Sequence, residues 1–314
     1  MRIVFMGTPD FAVPSLDILV KNGYDVAAVI TATDKMGGRG GKQILQSAVK
    51  KYAVDNNLRV LQPEKLKNSE FIDTLRTLNA DLFIVVAFRM LPEIVWTMPP
   101  LGTFNLHGSL LPKYRGAAPL NWAVINGEKE TGVTTFFLKH EIDTGDVIFR
   151  ESLSIGEDES VGEVHDRMMD LGANTVLKTV QAIEEQTVTP LPQLGIAATH
   201  APKIFQETCE IDFNKTTAEV HNFIRGLSPF PTAWTTLDGL KLKVYKASKD
   251  MDLENRTPQY KSDFEPNSAG KFISDGKNYL KIATSDGLIN LIDVQLEGRK
   301  RMTIKDFLNG YRLG

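Results

Sequence analysis

What most limits the folds open to this chain is an alternation. From the first residue to about Thr189, short apolar runs trade places with amphipathic stretches of helical period. The runs Arg2–Met6, Val26–Thr31, Leu82–Val86, Gly102–Leu106, Val133–Leu138 and Val147–Leu153 have strand length and are bounded by turn residues. They are expected as buried strands. The stretches Val13–Asn22, Gln43–Asn56 and Phe71–Leu78 are expected as helices. Ser160-x-x-Glu163 has the spacing of a capping box and opens a long amphipathic helix to about Glu185. Strands that alternate with helices build parallel βαβ units, with helices on both faces of one sheet. The expected class is α/β, a Rossmann-like, mostly parallel sheet.

The pattern breaks at Thr189–Pro202, which carries three prolines and no period. It reads as an extended linker. Beyond it, Thr216-x-x-Glu219 caps a short helix through about Gly226. Hairpin signals follow at Asp238-Gly239, Asp275-Gly276 and Asp286-Gly287, between short alternating runs. A smaller OB-like antiparallel β-barrel is expected there. The expected boundaries are a catalytic domain at 1–189, a linker at 190–205 and a barrel at 206–314.

Composition removes several classes of function. The single cysteine, Cys209, excludes an internal disulfide and any cysteine-based zinc site. The five histidines lack metal-ligand spacing, so no metal is expected. No apolar run reaches 18 residues, and the N-terminus has a strand pattern rather than a leader. A cytoplasmic monomer with no membrane partner is expected. The net charge of -3 advertises no nucleic acid, but its distribution is uneven. From Lys203 onward there are 17 Lys and Arg against 15 Asp and Glu; before it, 19 against 24. A slightly basic second half suits an electrostatic arm for nucleic acid. Chance variation in surface charge yields the same numbers.

The chemistry concentrates in Phe104-Asn105-Leu106-His107-Gly108-Ser109-Leu110-Leu111-Pro112-Lys113-Tyr114-Arg115-Gly116 and, further on, Glu141-Ile142-Asp143-Thr144-Gly145-Asp146. Asn105 and His107 are two apart, so on a strand they share a face. In sheets of this class, ligands sit outside the carboxyl ends of the strands. An amide, an imidazole and a carboxylate are the parts that handle an oxyanion and a mobile proton. A histidine near a strand end is also a common structural group, and Asn and Asp-Thr-Gly are turn formers. The residues alone leave both readings standing.

The run Asn105-x-His107-x-Ser109-Leu110-Leu111-Pro112-x-Tyr114-x-Gly116, followed by Asp143-x-Gly145, resembles the formyltransferases that use 10-formyltetrahydrofolate. The resemblance implies a catalytic trio of Asn105, His107 and Asp143. The opening Met1–Leu16 looks like that of the family branch that formylates the methionine on initiator tRNA. So do Arg225-Gly-Leu-Ser-Pro-Phe-Pro231 and Gly298-Arg-Lys-Arg-Met-Thr303. A G-x-G-x-x-G fingerprint is missing, which argues against a dinucleotide cofactor. The implied reaction moves a formyl group from N10 of 10-formyltetrahydrofolate, consumed as a cosubstrate, to the α-amine of initiator Met-tRNA. Asn105 and His107 would donate to the oxyanion, and Asp143 would orient His107 and favour its charged form.

The same resemblance puts the pterin beside Phe88, Arg89, Met90 and Leu91, held largely through backbone. It makes Ser109, Leu110, Leu111 and Pro112 part of a loop that closes over the reaction centre. A basic stretch from Lys35 to Lys51 has five cations, no acid and Met36-Gly-Gly-Arg-Gly-Gly-Lys42 at its centre. Four glycines make such a loop mobile and allow close backbone approach. The family's loop at this place enters the end of the tRNA acceptor stem, with Arg39 as its central arginine and Lys42 as a phosphate contact. A solvated surface loop is the plain alternative. The competing functions are formyl transfer to a purine-pathway amine or an amino sugar, a nucleic-acid-binding protein with an enzyme-like domain, and a nicotinamide-dependent oxidoreductase.

Overall fold

The computed structural model describes residues 1–37, 43–250 and 268–312. They form two compact units. One holds Met1–Gly116, Thr131–Leu153 and His165–His200; the other holds Ala117–Glu130, Ser154–Val164 and Ala201–Gly314. Among the described residues, no helix is long and apolar enough to cross a membrane.

The strands of the first half are β1 (Arg2–Gly7), β2 (Asp25–Ile30), β3 (Lys35–Gly37), β4 (Gln43–Leu45) and β5 (Val60–Leu61). They continue as β6 (Leu82–Val86), β7 (Thr103–His107), β8 (Arg115–Gly116), β9 (Glu130–Phe137), β10 (Val147–Ser154) and β11 (His200–Ala201). The helices are α1 (Val13–Lys21), α2 (Ala48–Asp55), α3 (Ser69–Thr77), α4 (Glu93–Trp96), α5 (Pro119–Ile125) and α6 (Val161–Glu184). Seven strands make one sheet in the order β10-β9-β7-β6-β1-β2-β5. β1 pairs in parallel with β2 and β6, as do β2 with β5 and β6 with β7, whereas β9 runs antiparallel to β7. The expected mostly parallel α/β sheet is present.

The sequence explains the burial. Leu82-Phe-Ile-Val-Val86 is buried throughout, because a parallel strand covered on both faces needs an unbroken apolar run. The α6 capping box forms as expected. Ser160 Oγ accepts from Glu163 N–H at 3.3 Å, and the Glu163 carboxylate accepts from Ser160 N–H at 2.8 Å. Met168, Val176 and Val180 form a buried stripe on α6. Gly172 lies in the same row, where a Cβ would stand 2.9 Å from Leu106 Cδ2. The missing side chain lets α6 come close against β7, between Asn105 and His107. Strand order reverses at β1, with β2 and β5 on one side and β6 and β7 on the other. Ligand crevices in such sheets open at this reversal, beyond the carboxyl ends.

Two expectations change. The helix expected over Gln43–Asn56 begins only at Ala48, because Ser47 is its N-cap and accepts from Lys50 N–H at 3.0 Å. Gln43–Leu45 pairs instead with Lys35–Gly37 as a two-stranded antiparallel ribbon. The Thr189–Pro202 segment is not a free linker either. Leu191 and Val147 exchange both backbone hydrogen bonds, at 2.8 and 2.9 Å, and Arg115 N–H donates to Thr199 O at 2.9 Å.

The second unit carries α5, α7 (Thr217–Gly226) and an antiparallel half-barrel. Its strands are β12 (Ala233–Leu237), β13 (Leu240–Asp250), β14 (Phe272–Ser274), β15 (Leu280–Ala283), β16 (Leu288–Leu296) and β17 (Met302–Thr303), and α8 (Ile304–Gly310) follows. All three Asp-Gly signals fall between paired strands. Val220, Ile224, Leu242, Val244, Leu291 and Phe307 belong to its core. Residues 117–130 and 154–164 group with this unit, so two excursions of the first half join the second. Arg225 on α7 shows how, donating to Gly156 O at 3.2 Å and to Glu159 O at 3.0 Å.

Beside Arg225, His221 is buried, and its Nε2 lies 3.3 Å from Asp158 Oδ1. Burial pushes this imidazole below its ordinary value of 6.5. The nearby Asp158 carboxylate pulls it back up, while Lys249 and Arg225 push it further down. The unfolded chain therefore takes up the proton first on acidification. The stability this neutral histidine contributes is intact above about pH 6.5 and is lost as pH falls toward its lowered folded value. His221→Asn is expected to flatten the fall in urea midpoint between pH 8 and pH 5, on the order of the usual imidazole range. An unchanged fall would remove His221 as its source.

Candidate active site

β7 lies beside β6, one strand away from the reversal, and its last residues do what their spacing predicts. Asn105 is half-buried and His107 is 6% exposed, both on one face of the strand. The His107 Nε2 lies 2.9 Å from Tyr114 O. A carbonyl only accepts, so Nε2 carries a hydrogen and donates, which settles the tautomer of the neutral ring. That leaves Nδ1 as the nitrogen that gains or loses the exchangeable proton. It faces Asp143 Oδ2 at 3.7 Å, so the structure brings the expected imidazole and carboxylate together. Among the described residues, the Asn105 amide makes no side-chain hydrogen bond.

Asp143 is held from several directions. Its Oδ2 accepts from Gly116 N–H at 2.9 Å. Its φ is +56°, a left-handed backbone that Asp tolerates better than most side chains. Two residues on, a Cβ at Gly145 would overlap the carbonyl oxygen of Phe137. Phe137 N–H donates to Asp146 O at 3.0 Å, closing the turn at its base. The Asp-x-Gly motif is therefore a turn former and a carboxylate carrier at once.

The loop after β7 is shaped by residues that sequence reasoning missed. Thr134 on β9, opposite His107, donates from Oγ1 to Ser109 O at 2.6 Å and accepts from Leu111 N–H at 3.1 Å. Arg150 Nε donates to Leu111 O at 2.6 Å. A buried threonine on a strand carries no signal of this kind. Ser109 is fully buried, and its hydroxyl donates to Lys113 O at 2.7 Å, so it shapes the loop from within. Leu111 is buried as well, while Leu110 and Pro112 are half-exposed.

Beyond β6, Ala87 has φ +47°. The backbone here leaves the sheet in a sparsely populated conformation, the kind of strain that clusters at binding sites. Phe88 is half-exposed, Met90 exposed and Leu91 buried. The Arg89 guanidinium turns away to donate to Glu64 O at 2.8 Å and to Pro63 O. The β6 and β7 exits are neighbours, since Val86 pairs with Leu106. Arg39 and Lys42 lie outside the described residues. The ribbon on either side exposes Met36, Ile44 and Leu45. No cluster of His, Cys, Asp and Glu among the described residues is arranged to hold a metal ion.

The N-terminal formyl transferase model matches residues 1–180, and the formyl transferase C-terminal domain model matches residues 203–312. The chain belongs to the formyl transferase family. It is 52% identical to the methionyl-tRNA formyltransferase of Bacteroides fragilis, covering all of this chain and 96% of that one. It is 54% identical to the methionyl-tRNA formyltransferase of Phocaeicola vulgatus, covering 99% and 96%. Among solved structures, a sugar 3N-formyl transferase, WlaRD, superposes with a TM-score of 0.67 at 23% identity, over 96% of this chain and 99% of that one. HypX from Aquifex aeolicus, in complex with tetrahydrofolic acid, gives 0.65 at 17% identity, over all of this chain and 48% of that one. At such identities the two structures speak for the fold.

The overlap at Gly145 makes a test of the turn. Gly145→Ala must displace either the Phe137 carbonyl or the Asp143 turn, since both are backbone. The variant is expected to lose about 1–3 kcal/mol, typical of overpacking, and to lose most of its turnover with the fold retained. Circular dichroism melting alongside a turnover assay checks it. Wild-type turnover in this variant would show that the turn has slack.

Proposed function

We propose that this chain transfers the formyl group of 10-formyltetrahydrofolate to the α-amino group of methionine on initiator Met-tRNA. The observation that carries the reading is the meeting of Asn105, His107 and Asp143 at one strand end, in a chain about half identical to methionyl-tRNA formyltransferases over its length. The exits of β6 and β7 fit the folate. A pterin is planar with amide-like edges, and the irregular backbone from Ala87 to Leu91 leaves the sheet ladder where such edges need partners. Phe88, Arg89, Met90 and Leu91 line it through main chain, and Leu110, Leu111 and Pro112, held over buried Ser109, wall the other side. The bound cosubstrate supplies an electrophilic formyl carbon.

The protein's part is electrostatic placement. Asn105 donates its amide N–H where negative charge grows on the formyl oxygen. At 3.7 Å, Asp143 is beyond a direct hydrogen bond to Nδ1 and acts on the ring by charge and orientation. His107 Nδ1 is then the atom that holds and moves the proton, while Nε2 stays tied to Tyr114 O.

RNA binding is assigned to two places. In sequence, Arg39 and Lys42 belong to the glycine-rich stretch between two strands whose exposed Met36, Ile44 and Leu45 suit contact with unstacked bases. The half-barrel within residues 206–314 carries Lys241, Lys243 and Tyr245 on the half-exposed face of β13. Lys241 lies over the Trp234 ring at 4.0 Å and Arg301 over the Tyr245 ring at 4.2 Å. Rings and cations alternating in this way suit a nucleic-acid backbone. The protein acts as a cytoplasmic monomer, with the catalytic trio within residues 1–189 and residues 190–205 leading on to the half-barrel.

The direct experiment offers labelled 10-formyltetrahydrofolate with charged initiator tRNA, and with uncharged tRNA, elongator tRNA and an amino-sugar nucleotide as controls. Label is expected on charged initiator tRNA; label on the amino sugar alone would overturn the substrate. Asn105→Ala and His107→Ala are each expected to slow single-turnover transfer by about a hundredfold or more, the size of a lost oxyanion contact. Asp143→Asn should cripple turnover while folate still binds. Arg39→Ala should weaken use of Met-tRNA and leave folate affinity intact, with Lys42→Ala milder and more salt-sensitive. Equal losses for both substrates would put the loop in the folate pocket instead.

A further inference from the structure

The segment 189–202 has the sequence of a connector, yet Gln193 within it is bonded to both loops that build the site. Gln193 Nε2 donates to Asp143 O at 2.9 Å and to Gly145 O at 2.8 Å. Gln193 Oε1 accepts from Arg115 Nη2 at 2.8 Å and from Arg115 Nε at 3.2 Å. The orientation is unambiguous: two carbonyls require the NH2, and a guanidinium requires the oxygen. The backbone around it is anchored on both sides. Leu191 pairs with Val147, and Thr199 Oγ1 accepts from Tyr114 N–H at 2.8 Å.

These contacts converge on two atoms. Tyr114 O accepts from His107 Nε2, and Gly116 N–H donates to Asp143 Oδ2. Arg115 lies between them. One amide thus ties the turn that presents Asp143 to the strand that addresses both His107 and Asp143. The Asp143 backbone sits at φ +56°, a conformation that persists only where its surroundings over-determine it. A primary amide is suited to the task, since it donates two hydrogens and accepts at the same time.

We infer that Gln193 is a positioning residue for formyl transfer, holding Asp143 in its left-handed turn opposite His107 and locking that turn to Arg115. The inference rests on the reading of Asp143 as part of the catalytic trio. Gln193 touches neither substrate in this role. Its effect reaches the reaction through the separation and orientation of the His107–Asp143 pair.

Three variants of the full chain separate the possibilities. Gln193→Glu keeps the size and the acceptor for Arg115 but removes both donors to Asp143 O and Gly145 O. Gln193→Ala removes every contact. Asp143→Asn reports on the underlying reading. Each is assayed for turnover and KM with 10-formyltetrahydrofolate and charged initiator tRNA across pH, together with its thermal midpoint. For Gln193→Glu and Gln193→Ala, turnover is expected to fall on the order of tenfold to a hundredfold, the size of a small misplacement of a catalytic group. KM for the folate should stay unchanged, and the pH profile of turnover should shift because the groups that move the proton are displaced. Adding Gln193→Ala to Asp143→Asn should cost little more, since both act through one carboxylate. If Gln193→Ala does not fold, the near-isosteric Gln193→Glu and Gln193→Met carry the same comparison. Wild-type turnover and pH profile in the Gln193 variants, with Asp143→Asn crippled, would overturn the positioning role alone. A lowered thermal midpoint with normal turnover would do the same, leaving Gln193 a stabilising contact. Wild-type turnover in Asp143→Asn would instead overturn the reading on which it rests.

Discussion

β7 is paired on both sides, parallel to β6 and antiparallel to β9, and this double pairing decides where Asn105 and His107 can point. A one-residue slip would turn both side chains to the opposite face. Against that slip stand the buried Phe104 and Leu106, which occupy the other face, and Gly172, which admits Leu106 close under α6. The apolar residues between the polar ones are therefore part of the site. They set the direction of an amide and an imidazole that make no contribution to the core themselves.

The carboxylate is placed by a different device. Asp143 belongs to a turn outside the sheet, and its left-handed backbone has no strand register to define it. Its position comes from two sets of hydrogen bonds, the Gly116 amide on the carboxylate and the Gln193 amide on the main chain, and from the tight passage of Gly145 past Phe137. Each hydrogen bond is worth about 1 kcal/mol net, so together they are of the same size as the strain of one left-handed residue, about 1–3 kcal/mol. The geometry at His107 is a meeting of one rigid partner from a strand and one clamped partner from a loop.

The second unit is assembled by the same logic of paired turns and caps. Thr217 N–H donates to Asp286 Oδ1 at 2.7 Å, and Thr217 Oγ1 donates to the same oxygen at 2.8 Å, so the turn that closes one hairpin also caps α7. Residues 117–130 and 154–164 group with the half-barrel although they interrupt the chain of the first half. A boundary drawn at the proline-rich stretch misses them, because they read locally as ordinary βα connections. What recruits them are long-range contacts, the Arg225 guanidinium on the 156 and 159 carbonyls and the Asn121 amide on the Gly226 carbonyl.

The strand and helix pattern was legible because burial imposes a period on the residues themselves. Leu82–Val86, the α6 capping box and the three Asp-Gly turns can be read from neighbours in sequence. The trio could be nominated only through the family resemblance of its motifs; spacing put Asn105 and His107 on one face, and the Asp143 motif read equally as a plain turn. The ribbon at Lys35–Gly37 and Gln43–Leu45 was masked by helix-compatible residues, and only the Ser47 cap ends that ambiguity. By itself the sequence determined most of the elements and their order, because those depend on local propensity and apolar period; the trio it implied only through the resemblance of its motifs. Only the tertiary structure decided that Nδ1 of His107 faces Asp143, that Thr134 and Arg150 shape the loop, and that a glutamine in the apparent connector bonds the main chain of the Asp143 turn. Those are contacts between residues far apart in the chain, and hydrogen-bond geometry across such distances leaves no period in a sequence.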